Sequence, residues 1–491
     1  MRNSNMSGTR HRRLCSVLVV AALVAAGCGD DDDEESTATD SAATTPADDT
    51  TAPAGDTTAP SDDTEPAGDT TAPSDDTEPS DDTEPSDDTT EPSDDTTAPG
   101  DDAEKVTDFA AYVGGSGAAD TGMSPIKIGY VNQQGGAIVI TDTNDDGVEV
   151  AVNYINDHAG GVGGHPLEVV TCFIANTEEE GQQCGQQFAN DDEIVAVVTG
   201  PTVTGTESFY AALAGAKPVV AGVSVNPADT VQETTAVLYG GAKYILAPYA
   251  TFARDTLGVT SAALVYPEGA GQDDAAAGQA SAFEAAGIPI EVVSYPPTAP
   301  DLTVPLLAAG AQDVDLVMPV INTADCVKFA EAVRQLGIPD EKVLASPVCL
   351  TPSTIEGLGD FPQWIYAVAS SLSVDPGDPS VPPYTEILEE QGQEAFIGDP
   401  WVLVGFGQVM TLAKWLNAVG PDDITTEGIL EEMKAFEGPL ILGSPVLECG
   451  KYPEAPGVCN DYTQFYKYNG PDGFSLAGGF VGPPEGWVAP S

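Results

Sequence analysis

The strongest constraint on the fold is an alternation that begins near Ser124. Short runs rich in β-branched residues are followed by longer, Ala-rich stretches with helical spacing. This pattern predicts parallel sheets built from β-α-β units, with helices on both faces. The chain has more predicted strands than a single doubly wound sheet usually contains, which indicates an α/β protein of two lobes. The predicted strands span residues 126–131, 167–173, 194–200, 217–223, 261–267, 289–295, 315–320 and 342–348.

The N-terminus has the pattern of an export signal over residues 1–27. Its first 13 residues contain Arg2, Arg10, Arg12 and Arg13 and no acid, and the apolar run 14–26 follows. That run is too short to span a bilayer as a stable helix but suits a signal-peptide core. No apolar stretch after Cys28 reaches about 18 residues, so we expect no further membrane-spanning segment.

A strongly acidic, repetitive segment follows the signal. Residues 29–104 contain 28 acids and no bases, with near-repeats of the form SDDTEP. Such a composition buries too little apolar surface to offset the entropy of ordering. Residues 28–123 are therefore predicted to be a disordered linker in front of a globular domain over residues 124–485.

Charge and cysteine content exclude several functions. Of the 78 acids in the chain, 50 follow residue 104, against 12 Lys and Arg, so nucleic acid and anionic membranes are poor partners. Six cysteines lie in the globular part, and an even number in an exported chain favours disulfides. Of the possible pairings, the short separations favour Cys172 with Cys184, Cys326 with Cys349, and Cys449 with Cys459.

Catalytic and metal-binding patterns are sparse. The chain has no G-x-S-x-G, no H-E-x-x-H and no phosphate-binding loop of the G-x-x-x-x-G-K type. Asp142, Asn144 and Asp146 match the first half of a calcium loop, but Asn153 stands where a bidentate Glu is needed. We therefore expect a protein that is not an enzyme and that needs no cofactor and no metal.

The junction Leu23-Val24-Ala25-Ala26-Gly27-Cys28 resembles the lipobox of bacterial lipoproteins. That resemblance implies a diacylglyceryl group on Cys28 and a mature protein anchored by lipid to the outer face of the cell membrane. Ala25 departs from the pattern, which prefers Leu, Val or Ile there. The alternative is an ordinary signal peptide in which Cys28 is incidental.

Three stretches of the globular part resemble the type I solute-binding proteins of ABC importers, in the leucine, isoleucine and valine branch. The stretches are PIKIGYVNQQGG, GVEVAVNYINDHAGGVGGHPLEVVTCF and IVAVVTGPTVTGTESFYAALAGAKPVVAGVSVNPADT. The resemblance implies the two-lobed type I periplasmic-binding-protein fold, with a ligand cleft between the lobes and three crossings. It places lobe one at about 125–240 and 350–441, lobe two at about 242–348 and 442–485, and hinges near 239–242, 347–350 and 439–444.

The resemblance also implies ligand contacts from loops that follow strands. In lobe one, Thr202 and Thr204 match the family's carboxylate-binding loop, Val223 and Ser224 match its second contact, and Ile140 lies near an aromatic contact. Capping of a helix N-terminus is the alternative role of each hydroxyl.

In lobe two, Ala270 and Asn322 fall near positions where the family has tyrosines. An acidic partner for a ligand ammonium is also missing, unless Glu268 or Asp325 supplies it.

The implied function is an extracytoplasmic receptor that delivers a branched-chain amino acid or amide to the permease subunits of an ABC importer. We expect a monomer with a small-molecule ligand. The alternative is a ligand-binding sensor that signals through a partner protein.

Overall fold

The computed structural model describes residues 105–136 and 143–490. The predicted signal peptide, Cys28 and residues 28–104 of the predicted linker lie outside this part of the chain. Each strand predicted from the sequence has a counterpart, but the run predicted at 342–348 forms a strand only over Leu344–Ala345.

The first half of the described chain alternates strands and helices and crosses into the second lobe after β5. Its elements are α1 Phe109–Val113, β1 Ile126–Gln133, α2 Asn144–His158, β2 Leu167–Ile174, α3 Glu178–Asn190, β3 Ile194–Thr199, α4 Thr206–Leu213, β4 Val219–Ser224, α5 Pro227–Thr230, β5 Thr235–Gly241, α6 Ala242–Leu246, α7 Pro248–Asp255, β6 Ala262–Pro267 and α8 Ala270–Ala285.

The second half completes lobe two, returns to lobe one for three helices, and ends in a hairpin of lobe two. Its elements are β7 Ile290–Tyr295, α9 Thr303–Ala308, β8 Leu316–Pro319, α10 Cys326–Leu336, β9 Leu344–Ala345, α11 Pro352–Leu358, β10 Ile365–Val368, α12 Val381–Glu390, α13 Pro400–Val419, α14 Thr426–Ala435, β11 Thr463–Tyr468 and β12 Phe474–Val481.

Lobe one is built on a parallel sheet with the strand order β2-β1-β3-β4-β5. Strands β1, β3, β4 and β5 are almost continuously buried, as expected for a parallel sheet that helices cover on both faces, whereas the edge strand β2 is partly exposed. Helix α13 is long and apolar enough to cross a membrane, and is the one such helix among residues 105–136 and 143–490. Most of α13 is buried in lobe one, against α2 and β4, as in the core helix of a folded domain.

Lobe two contains a parallel sheet, β7-β6-β8, and a mixed sheet, β12-β11-β10-β9. A single bridge between Val317 and Val343 brings β8 and β9 side by side, so the two sheets are contiguous. The parallel strands come from β-α-β units, whereas β11 and β12 form an antiparallel hairpin next to β10.

Two of the predicted lobe boundaries are wrong. Residues 365–368 were expected in lobe one, but β10 pairs with β9 and β11 in lobe two. Residues 442–447 were also expected in lobe two, but Leu442 and Leu447 pack in the lobe-one core. Tyr452 and Ala455 pack in the lobe-two core as expected, and Val458 joins that core while it bridges Val237 of β5. The chain therefore crosses between lobes near residues 241–242, 369–373 and 459–463, and only the first of these matches a predicted hinge.

The predicted linker also ends too late. Within residues 105–123, expected to be disordered, α1 buries Phe109, Tyr112 and Val113 in the lobe-one core. Phe109 packs against Phe406 of α13 with ring centroids 5.7 Å apart. Apolar side chains at one face of this short helix pack it into the lobe-one core.

The start of the described chain touches both lobes. The Lys105 ammonium lies 3.2 Å from a carboxylate oxygen of Asp378, in the loop between β10 and α12. The same ammonium lies 5.3 Å from the ring centroid of Phe480 on β12 of lobe two. Burial alone would raise the pKa of Asp378, but a hydrogen bond from Ser371 and the charge of Lys105 hold that pKa below its usual range.

Each predicted disulfide pair is confirmed. Cys172 on β2 bonds to Cys184 on α3 in lobe one, and Cys326 at the start of α10 bonds to Cys349 after β9 in lobe two. Cys449 and Cys459 close the segment that runs along β5. Each bond ties a loop to a neighbouring element and so lowers the entropy of the unfolded chain.

Candidate ligand-binding cleft

The loops at the carboxyl ends of the parallel strands line the space between the lobes. In open α/β sheets this edge is where ligands bind. The lobes come close here: a Cβ on Gly271, near the start of α8, would lie 3.1 Å from the Val225 carbonyl oxygen, just after β4. The loop after β4 therefore faces the start of α8 across the cleft. The loop after β3 lies beside it, since the Asn226 Nδ2 donates to the Val203 carbonyl oxygen at 3.0 Å.

Thr202 lies in the loop after β3, as predicted, but its hydroxyl is used within the loop. Its side chain is 3% exposed, and its Oγ1 lies 2.9 Å from that of Thr206. The Thr206 hydroxyl donates in turn to the Thr202 carbonyl oxygen at 3.0 Å. This pair stabilises the turn into α4, but it is not the N-capping that the sequence left open, because the N-cap residue is Gly205 and no side chain caps it.

Gln133, at the end of β1, binds the backbone of the same loop. Its Oε1 accepts hydrogen bonds from the N–H groups of Val203, at 2.7 Å, and Thr204, at 3.2 Å. Gln133 is fully buried, and its Nε2 has no hydrogen-bond partner. The backbone of Thr204 thus binds a side chain of the protein itself, while the Thr204 side chain stays half-buried at the cleft edge.

Glu178, the first residue of α3, binds the start of α4. Its carboxylate accepts the Gly205 N–H at 2.8 Å and the Ser208 hydroxyl at 2.7 Å. The hydrogen bond from Ser208, followed by that from Gly205, lowers the pKa of Glu178, so the group is charged at neutral pH. A negative charge of the chain itself therefore occupies the positive end of the α4 dipole.

Ser224 ends β4 and is turned into lobe one. Its hydroxyl lies 2.8 Å from the Asn226 carbonyl oxygen and 2.9 Å from a carboxylate oxygen of Asp229. Asp229 is buried, and burial raises its pKa to about 6, against the opposing hydrogen bonds from Ser224 and Tyr210. Val223, one residue earlier, is half-buried and packs against the lobe-one core.

In lobe two, Asn322 follows β8 and is exposed. Its Oδ1 accepts a hydrogen bond of 3.0 Å from Gln272 of α8. The disulfide between Cys326 and Cys349 joins the loop after β8 to the loop after β9. Ala270 is the first residue of α8, where the loop after β6 ends. The structure therefore brings the predicted lobe-two positions to one edge of the sheet.

Of the two acids considered as ammonium partners, one is already paired. Asp325 is buried, with the Lys328 ammonium 2.7 Å from its Oδ1 and the Tyr295 hydroxyl 3.1 Å from its Oδ2. Glu268, directly after β6, is exposed. Glu268 is thus the more accessible of these carboxylates to a ligand in the cleft.

Two predictions from the first loop have different outcomes. Ile140 and Asp142 lie outside the described residues. Asn144, the middle residue of the half calcium loop, is buried; its Oδ1 accepts from the Tyr130 hydroxyl and its Nδ2 donates to the Trp401 carbonyl. Asn144 thus joins α2 to α13, and in the described part of the chain no group of three or more potential ligands could hold a metal ion.

Sequence reasoning missed Gln133 and Glu178. Each contacts a loop from 27 to 71 positions further along the chain. Their positions at the end of a strand and the start of a helix are the only sequence signal, and many residues share it.

Two α/β lobes joined by three crossings, with strand ends facing a common cleft, define a binding protein that closes on a ligand. The sequence model described as periplasmic binding protein matches residues 125–447, and the chain belongs to that family.

The alignments with solved structures of the same fold extend over nearly the whole length of those structures. A leucine-binding protein from Thermotoga maritima is 15% identical, with a TM-score of 0.59, over 73% of this chain and 99% of that one. A branched-chain amino acid transporter substrate-binding protein from Streptococcus pneumoniae, in complex with isoleucine, is 16% identical, with a TM-score of 0.58, over 73% and 100%.

A fatty acid ABC transporter substrate-binding protein from Thermomonospora curvata is 14% identical, with a TM-score of 0.58, over 76% of this chain and 97% of that one. Comparison with curated proteins gave no match. The ligands named for these structures differ in kind, so the shared fold leaves the ligand of this chain to its own cleft residues.

Proposed function

We propose that this protein is a lipid-anchored, extracytoplasmic solute-binding protein of an ABC importer. It captures a small solute of the branched-chain amino acid or amide type and delivers it to the permease subunits in the membrane. The observation that carries this proposal is the cleft, where the loop after β4 of lobe one faces the start of α8 in lobe two. Family membership and the similar transporter-associated structures support it.

Closure of the lobes is the working step. A solute that contacts both walls stabilises the closed form over the open form, and the closed form is what the permease would recognise. The crossings near residues 241–242, 369–373 and 459–463 lie together. Ser370 bridges Gly443, a Cβ on Gly443 would lie 3.0 Å from the Tyr239 ring, and a Cβ on Gly240 would lie 2.8 Å from the Asn460 carbonyl oxygen. Rotation about these strands moves the walls without disturbing either sheet. We propose that the protein acts as a monomer.

The anchor is proposed from the sequence of residues 23–28. The acidic segment 29–104 would then be a tether between the lipid and the binding domain. Mass spectrometry of the protein extracted from membranes should show an acylated N-terminal Cys28. A Cys28→Ser variant should be released into the medium, and an unmodified Cys28 in the membrane fraction would contradict the anchor.

The binding proposal is tested with a thermal-shift screen of the full chain against branched-chain amino acids, their amides, ureas and short-chain acids. A ligand that binds only the folded state raises the melting temperature, by an amount that grows with its concentration. Uptake of the hit in cells with and without the gene separates transport from sensing. Binding without an uptake defect would favour the sensor, and no shift with any solute would contradict the proposal.

A further inference from the structure

The N-terminus of α4 is where a carboxylate would bind if the cleft took an amino acid by its acid group. Backbone N–H groups at helix N-termini commonly bind anions. In this chain the N–H groups of the two residues before the N-cap, and that of the N-cap residue itself, already have acceptors. The Gln133 Oε1 takes the N–H groups of Val203 and Thr204, and the Glu178 carboxylate takes that of Gly205.

The nearby hydroxyls are used in the same way. Thr202 and Thr206 share a hydrogen bond, and Ser224 faces Asn226 and the buried Asp229. A carboxylate that entered here would have to displace a side chain of the protein from each of these donors. The lobe-one wall is thus filled with acceptors before any ligand arrives.

The charge of the cleft opposes a second anion. The cleft loops are defined here as the described residues of 134–136, 175–178, 200–206, 225–229, 268–272, 320–325 and 346–350. They contain no Lys, Arg or His, and their acids are Glu178, Asp229, Glu268 and Asp325. The turn after β5 is left out of this set; its Lys243 ammonium lies 2.6 Å from a carboxylate oxygen of Asp274 on α8. Of the acids in the set, only Asp325 has a cation in contact, Lys328 from α10, among the described residues. Low-dielectric walls strengthen the repulsion that such a set exerts on an entering carboxylate.

We propose that the cleft selects solutes without a carboxylate, with an amide or amine head group, and that Glu178 and Gln133 determine this specificity. The inference rests on the proposed function and narrows its ligand class. Glu178 excludes an anion by charge, and Gln133 excludes it by occupying the backbone donors. An amide or amine instead offers N–H groups to the acidic cleft, where Glu268 is exposed.

The test compares probes that share one apolar part and differ in the head group. Calorimetric titration of the full chain with 3-methylbutanamide, 3-methylbutylamine, 3-methylbutanoate and leucine gives four affinities. We expect the amide or the amine to bind at least about tenfold more tightly than the carboxylate, as one opposed charge in a partly closed site would cause.

Glu178→Gln tests the charge with little change in shape, since an amide oxygen can still accept the Gly205 N–H. It should tighten binding of 3-methylbutanoate by about threefold to tenfold and leave the amide within about twofold. Glu179→Gln is the matched control, because it removes the same charge from the neighbouring exposed residue of α3. The control should leave all four affinities nearly unchanged.

Two results would overturn the inference and leave the proposed function standing. One is tighter binding of 3-methylbutanoate or leucine than of the amide and the amine. The other is an equal change in Glu178→Gln and Glu179→Gln, which would show a general charge effect. Failure of all four probes and of the wider solute screen would overturn the proposed function and, with it, this inference.

Discussion

The two walls of the cleft are built by different means. In lobe one, the side chains of Gln133, Glu178 and Asp229 accept hydrogen bonds from the loops after β3 and β4 and leave few free donors there. In lobe two, a disulfide ties the loops after β8 and β9, and Asn322 and Glu268 remain exposed. The comparison teaches that lobe one supplies a fixed shape that excludes ligands, whereas lobe two supplies polar groups that can contact them.

The largest expected loss of stability comes from removing a buried ring from the core of either lobe. Phe109→Ala in lobe one and Phe252→Ala in lobe two each remove a buried ring, and each should cost about 3–5 kcal/mol. Phe252 stacks on Phe465 with ring centroids 3.9 Å apart, and Phe109 packs against Phe406. Because the rings lie in separate cores, we expect each variant to lower one of two calorimetric transitions. One shared transition lowered by both would show that the lobes unfold together.

The disulfide of the lobe-two wall comes next. Replacing Cys326 and Cys349 with Ser should cost about 3.5 kcal/mol by the entropy of a loop with a separation of 23 residues. It should also weaken ligand binding, because the loops after β8 and β9 are no longer joined. The matched control replaces Cys172 and Cys184, which lie on β2 and α3. This control should lower the stability measured by denaturant titration but leave the ligand affinity unchanged. An equal loss of affinity in both double variants would contradict the proposal that the loops after β8 and β9 form a wall of the cleft.

Replacing the buried acid of each wall by Asn should change the stability of the protein in opposite directions. Burial raises the pKa of Asp229 to about 6, so the folded state holds this proton more tightly than the unfolded state. The resulting stability is fully present below about pH 4 and is lost as the pH rises through about 6. Asp229→Asn should therefore stabilise the protein at pH 8 by up to about 3 kcal/mol and have little effect at pH 4.

Asp325→Asn is the comparison in lobe two. It leaves Lys328 without its carboxylate partner and should lower the melting temperature at pH 8. Unfolding of both variants at pH 4 and pH 8 checks the pair. A loss of stability at pH 8 in Asp229→Asn would show that Ser224 and Tyr210 require the charge.

The smallest effects separate structural from ligand-facing polar groups. Thr202→Val removes a hydroxyl that is hydrogen-bonded inside the loop and should cost about 1 kcal/mol of stability. Asn322→Ala removes an exposed amide and should change stability by less than about 0.5 kcal/mol. For the affinity of the solute found in the screen, we expect the reverse order. A larger loss of affinity in Thr202→Val than in Asn322→Ala would show that the ligand contacts lobe one at Thr202.

Local patterns predicted much of the fold. The β-branched runs at 194–200 and 261–267 became β3 and β6, because buried parallel strands depend on side chains that pack on both faces. The disulfides followed from short separations in an exported chain. Strand β10, four residues long, has no such pattern, and its place in lobe two depends on pairing with β9 and with β11, about 100 residues later.

The site was less accessible to sequence reasoning. Thr202, Ser224 and Asn322 were placed correctly at strand ends, since strand ends follow from periodicity. Whether the hydrogen-bond donors near these residues are already paired depends on side chains from elements distant in sequence. The Gln133 side chain at the end of β1, which accepts the Val203 N–H, is an example. Such contacts are set by packing between elements, and a single sequence does not encode them in its local pattern.

The position of Lys105 has a mechanical consequence. Its ammonium contacts Asp378 beside a crossing and the Phe480 ring on β12, so a load carried along the chain from residue 104 reaches the domain where the two lobes meet. Such a load has a short lever arm about the crossings. A pull on the chain just before Lys105 would therefore exert little torque on the opening of the cleft.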